Sequence, residues 1–180
     1  MHVTMRLESG MPSLRSQVVL AAFKQSLRRA TKSDMRIAHF SLQRDHIHLI
    51  VEAPDHERLA RGMRGLASGF ARRLNRLRGT RGRVFGDRYH RHDLKSPREV
   101  RNALVYVIQN GAKHGTAARL DPFSSAPFFD GWSSGANVEL ARLRAALAPD
   151  EPPPVANARF WLLAIGWRRY GRLSIHEHPR

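Results

Sequence analysis

The run Asp45–His46–Ile47–His48 sets two imidazoles two residues apart at the start of an apolar stretch that includes Leu49, Ile50 and Val51. In an extended chain, side chains at i and i+2 leave from one face, so His46 and His48 project together while Ile47 points the other way. Two neutral imidazoles side by side supply half of a divalent-metal site. The plainer reading is a pair of strand histidines bonded to backbone or solvent. Further along, Tyr106 is followed four residues later by Asn110. On a helix that spacing puts both on one face. An amide oxygen is a hard ligand suited to Mg²⁺ or Mn²⁺, and a phenol beside a metal-bound phosphate can attack phosphorus. The plainer reading here is a core tyrosine on an amphipathic helix that Asn110 ends.

These residues need elements to hold them. Residues 3–7 alternate like a short strand that Ser9 and Gly10 end. Residues 14–30 carry Leu20, Phe23, Leu27 and Ala30 at helical spacing. Residues 35–42 and 47–53 read as two strands joined tightly at Gln43–Arg44–Asp45. Pro54 and Asp55 then open a long helix over 56–78, with Leu59, Met63, Leu66, Phe70, Leu74 and Leu77 as its apolar stripe and arginines over much of the rest. Residues 84–94 read as a further strand. Ser96–Pro97–Arg98–Glu99 is a helix start, with a capping serine and a proline at the first helical position, for a helix running to about residue 110.

The order β-α-β-β-α-β-α with short connections predicts an α+β domain: a ferredoxin-like antiparallel sheet with helices packed on it, over residues 1–120. Residues 121–180 read as a C-terminal extension: a loop over 121–136, a short helix over 137–148, a proline-rich linker over 149–154, and a docking helix over 160–170.

Composition narrows the chemistry. The 180 residues carry 31 Lys+Arg against 15 Asp+Glu, a net charge of +16, and only four of the cations are lysines. Guanidinium forks match phosphate oxygens two at a time, so a nucleic-acid partner is the first expectation. An arginine-rich codon bias would give the same totals. With no cysteine, disulfides and zinc–thiolate sites are excluded. Without a long apolar run or a secretion signal, the expectation is a soluble, cytoplasmic protein with no membrane partner.

The three runs Asp45–His46–Ile47–His48–Leu49–Ile50–Val51, Arg83–Val84–Phe85–Gly86–Asp87–Arg88–Tyr89–His90 and Ala103–Leu104–Val105–Tyr106–Val107–Ile108–Gln109–Asn110 resemble motifs of the HUH single-tyrosine transposases. The nearest branch is the one associated with repetitive extragenic palindromes. The resemblance covers about residues 2–115. It implies His46 and His48 as metal ligands, Asn110 as the amide completing the site, and Tyr106 as the nucleophile in a divalent-metal-dependent (Mg²⁺ or Mn²⁺) DNA transposase. It also implies a single-stranded DNA substrate recognised through a hairpin, and a homodimer. Gly111–Ala112 replaces a more usual proline-containing sequence after the asparagine. Gln109 ranks second to Asn110 as a ligand. Tyr89, on a predicted strand, is the rival tyrosine and reads as structural or DNA-stacking; Tyr170 is a third.

Arg72, Arg73, Arg76, Arg83 and Arg88, with Tyr89, are the candidates for holding DNA. Three other functions share parts of this pattern: a domesticated hairpin-DNA binder that does not cut, a metal-dependent nuclease using water, and a basic RNA-binding module.

Overall fold

The computed structural model of the protein describes residues 1–30, 34–113, 120–147 and 152–178. Four strands, β1 (His2–Arg6), β2 (Arg36–Leu42), β3 (His46–Glu52) and β4 (His90–His92), form one sheet in the order β2-β3-β1-β4, with every pairing antiparallel. Helix α1 (Gln17–Ala30) connects β1 to β2, and α2 (His56–Arg78) connects β3 to β4. This is the ferredoxin-like α+β arrangement expected from the sequence. The tight β2–β3 hairpin and the two crossings place β1 in the middle of the sheet, beside β3.

Strand alternation splits the sheet into two faces. Val3, Met5, Ile47, Leu49 and Val51 point toward α1 and α2, where they meet Phe23, Leu27, Leu59, Met63, Leu66 and Phe70 in one core. Helix α3 (Pro97–Ile108) covers the other face, together with Ile50 and Ala38. Its start is fixed as expected: the Ser96 side chain accepts from the Glu99 amide, and the Glu99 carboxylate accepts from the Lys95 amide. Such capping typically stabilises a helix by about 1 kcal/mol.

Several elements are shorter than the sequence suggests. Residues 84–94 do not form a continuous strand. Phe85 bridges Leu7, the Gly86 amide donates to the Arg6 carbonyl, and the chain bends before β4 resumes at His90. The helix carrying Tyr106 stops at Ile108; Gln109 leaves helical geometry (φ −108°, ψ 15°), and α4 (Asn110–Lys113) starts as a separate turn. In the extension, α5 spans Asn137–Ala145, and residue 148 of the expected helix lies outside the described residues, as do residues 149–151 of the expected linker. The docking segment is a single turn, α6 (Trp161–Ala164), followed by a 3₁₀ stretch over Gly166–Tyr170, rather than one helix.

The extension is built into the α3 face. Ala126, Phe129, Trp132, Leu163 and Trp167 share a core with Leu104, Val107 and Ile108 of α3. The edge of β2 is covered as well: the Leu42 amide donates to the Phe123 carbonyl, and the Ser125 amide to the Phe40 carbonyl. Covering an edge in this way removes a template for unwanted strand pairing. A buried ion pair fastens the junction, with Arg15 donating to both Asp121 oxygens at 2.8 and 2.9 Å and also to the Leu42 carbonyl.

Candidate active site on the α3 face of the sheet

Directly paired residues of antiparallel strands share a face. In the observed register Thr4 lies opposite His48, Arg6 opposite His46, Ser41 opposite His48, and His90 and His92 opposite Thr4 and His2. His46 and His48 therefore stand on the α3 face, as their spacing predicts. Their rings meet nearly perpendicular, with centroids 4.7 Å apart.

Tyr106 reaches this pair from α3. Its ring packs edge-on against His48 with centroids 5.0 Å apart and against His2 at 5.6 Å. The nucleophile candidate and the metal-ligand candidates thus meet within a single chain.

Each histidine of the pair has its Nδ1 engaged. His46 Nδ1 lies 2.8 Å from Asp45 Oδ1, and the hydrogen bond holds the Asp45 carboxyl below its usual range. His48 Nδ1 lies 3.1 Å from both His2 Nε2 and Thr4 Oγ1. Burial, followed by the nearby charges of His92, the N-terminus and His90, lowers the His2 imidazole to about 4, so it is neutral at ordinary pH.

Asn110 is fully buried, and neither its amide oxygen nor its amide nitrogen has a hydrogen-bond partner among the described residues. Orphaned polar atoms in such a place are costly and call for a function or a ligand. The helix break at Gln109 means that Asn110 does not continue the Tyr106 face by helical geometry, contrary to the simple i, i+4 expectation. Gln109 donates its side-chain nitrogen to the Ser174 carbonyl at 2.7 Å, while its Oε1 is buried and, like the Asn110 amide, has no hydrogen-bond partner among the described residues. The glycine after Asn110 has a local reason, since a Cβ at Gly111 would sit 2.3 Å from the Asp121 carboxylate.

No metal-holding group of three or more His, Asp or Glu residues occurs among the described residues. His46 and His48 are the imidazoles that the structure brings together on this face.

The rival tyrosines lie elsewhere. Tyr89 packs against the core on the α1–α2 side and, with Arg88, lines a pocket that also includes Met63 and Phe85. Tyr170 is exposed, with the Arg98 guanidinium 5.2 Å from its ring centre. Arg83 sits near the sheet edge, donating to the Phe85 carbonyl and lying 3.6 Å from Glu8. Arg72, Arg73 and Arg76 project from α2, on the far side of the sheet from Tyr106. They do not join the tyrosine–histidine centre.

His2, Thr4, Arg6, His90 and His92 share this face, and spacing within their own segments does not single them out, although His90–Arg91–His92 repeats the His-x-His spacing. Their meeting depends on long-range register, which spacing within one segment does not reveal.

The IS200-like transposase family model matches residues 1–107, a stretch that includes His46, His48 and Tyr106. No curated protein matches the chain. A solved structure described as a REP-associated tyrosine transposase bound to a REP hairpin superposes with a TM-score of 0.59 at 15% identity, covering 88% of this chain and 92% of that one.

Proposed function

Because the chain belongs to the IS200-like transposase family, we propose that it cuts and rejoins single-stranded DNA through a covalent tyrosine–DNA bond. The observation that carries this reading is the packing of Tyr106 against His48 and His2, beside His46, on one face of the sheet.

In this reading His46, His48 and Asn110 hold a divalent cation, Mg²⁺ or Mn²⁺. Bound there, it would polarise the scissile phosphate and offset charge building on the phosphoryl oxygens. Each histidine would bind it through Nε2, its Nδ1 being engaged by a hydrogen bond; fixing a ring by its other nitrogen is how protein shells orient metal-binding imidazoles. The Tyr106 oxygen attacks phosphorus, the DNA 3′-oxygen departs as a hydroxyl, and the 5′-phosphate stays esterified to the tyrosine. A second 3′-hydroxyl reverses the step and joins new ends, so no nucleotide hydrolysis is needed. Arg6, exposed and opposite His46 on the same face, is the cation best placed to hold the phosphate beside the cut.

The solved relative carries a DNA hairpin, and hairpin DNA is the substrate feature proposed for this chain. The tyrosine and the histidines meet within one chain, so cleavage is assigned to each protomer in cis; the homodimer implied by the resemblance would pair two such centres. Residues 1–120 are taken as the catalytic domain and 121–180 as an extension that braces α3. No helix among the described residues is long and apolar enough to cross a membrane, and the proposed place of action is the cytoplasm, at the nucleoid.

The test is a suicide substrate: hairpin DNA with a nicked single-stranded flank, incubated with Mn²⁺. A protein–DNA adduct that survives denaturation, and is lost with chelator, supports the reading. Cleavage that leaves a free 5′-phosphate and no adduct would point to a water-using nuclease. Tight hairpin binding with no cleavage would point to a binder that does not cut.

A further inference from the structure

Resting on the reading that DNA is the substrate, the structure assigns a second DNA-backbone site to the groove between the outer sides of α1 and α2, on the sheet face opposite the tyrosine. The groove, of about 830 Å³, is lined by Arg29 from α1 and by Arg61, Arg72, Arg73 and Arg76 from α2. Among the described residues no acidic side chain lines it, and only Arg61 of these arginines has a carboxylate partner, Glu57 at 2.6 Å.

The other four guanidinium groups thus stand together with no carboxylate partner among the described residues. Desolvation first, and then the neighbouring Arg29, Arg76 and Arg72 guanidinium groups, lower the Arg73 guanidinium from its ordinary value. A folded protein keeps such an arrangement at a cost, which a bound polyanion relieves.

The groove's shape fits the same ligand. Gly62 has a packing reason, because a Cβ there would lie 2.7 Å from Met35. Gly65 and Gly69 have none: a Cβ at either position meets nothing within 4 Å. Both lie inside a 23-residue helix, where glycine is unfavourable relative to alanine. They leave bare backbone along the floor between the arginines, where a phosphate strand can lie close.

The sheet and the helical layer stand between this groove and Tyr106, so one short segment of DNA cannot occupy both places. The occupant is the DNA flanking the cleaved segment, held by its phosphates and without sequence preference.

The experiment compares two labelled probes, a bare hairpin and the same hairpin with long single-stranded extensions, titrated over a range of NaCl concentrations. Arg72→Ala/Arg76→Ala should weaken binding of the extended probe about tenfold and lower the slope of log K against log salt by roughly 1.4, because two phosphates of a single strand are no longer neutralised. Its effect on the bare hairpin should be clearly smaller. Arg142→Ala/Arg159→Ala, which removes the same charge elsewhere on the surface, should leave the slope of the extended probe in place. Gly69→Gln, which fills the floor without changing charge, should weaken the extended probe while circular dichroism stays native.

An unchanged slope in a folded Arg72→Ala/Arg76→Ala protein, or an equal loss in the control pair, overturns the groove. Adduct formation by the wild-type protein is read separately, on the flanked hairpin of the cleavage test. Adduct with no loss of slope sinks the groove alone; loss of slope with no adduct sinks the tyrosine reading alone.

Discussion

On the α1–α2 side of the sheet, β1 and β3 present Val3, Met5, Ile47, Leu49 and Val51, all 4% exposed or less, to an unbroken apolar core. On the α3 side the same two strands present His2, Thr4, His46 and His48, against a helix that contributes Tyr106. The backbone ladder is common to both faces, so the period-two alternation of a few residues separates stability from chemistry. Moving the register by one residue would put imidazoles in the core and leucines under the tyrosine. The apolar face holds the polar face in register, and that lets a constellation with little hydrophobic stabilisation of its own keep a fixed geometry.

If this division is correct, substitutions on the two faces should fail differently. Tyr106→Phe should reduce adduct formation by about 10³-fold or more while leaving the melting temperature almost unchanged. A large loss of stability in that variant would mean that the tyrosine is chiefly a core residue. Leu49→Ala should do the reverse, costing about 2–5 kcal/mol in denaturant unfolding while the protein that stays folded still forms adduct. His48→Ala should weaken Mn²⁺ binding by at least about 100-fold in calorimetry, more than loss of an outer partner usually costs.

Those outer partners sharpen the comparison. His2→Ala and Asp45→Asn should each weaken Mn²⁺ binding by roughly tenfold, because each frees the Nδ1 side of one ligand. An effect of His2→Ala equal to that of His48→Ala would make His2 itself a ligand.

The smallest effect concerns His39, which lies on the α3 face beside Ser125 (3.2 Å) and Phe129. Burial lowers its imidazole to about 4. Between pH 6.5 and pH 4 the unfolded chain takes up a proton that the folded chain refuses, so stability should fall as pH falls through that window. The loss should be roughly 1–2 kcal/mol, less than for a fully enclosed ring, because His39 keeps some solvent contact. Unfolding of His39→Gln compared with wild type at pH 7 and pH 4.5 measures it.

Much of this arrangement was legible in the sequence because it is local. Alternation placed β1, β2 and β3, the Ser96–Glu99 cap placed the start of α3, and two-residue spacing put His46 and His48 on one face. Other features depended on partners far away in sequence. The expected strand over 84–94 shrank to three residues, because Phe85 and Gly86 pair with the end of β1 and turn the chain. The arginines of α2 read as candidates for holding DNA, but helix periodicity does not say which side of the sheet the helix covers, and so whether they stand beside Tyr106. His2 and Thr4 became neighbours of His48 only through the β1–β3 register. Asn110 was expected one turn beyond Tyr106 on a continuous helix, and the break at Gln109, stabilised by its bond to Ser174, could not be seen without the extension that supplies the acceptor.

The most direct measurement is the identity of the side chain that carries DNA. Adduct formed with a single-stranded hairpin substrate and Mn²⁺ would be digested with protease and nuclease, and the nucleotide-bearing peptide sequenced by mass spectrometry. The phosphate should map to Tyr106, within the peptide that runs from Asn102 toward Asn110. A phosphate found on Tyr89 or Tyr170 would contradict the placement of the active site on the α3 face.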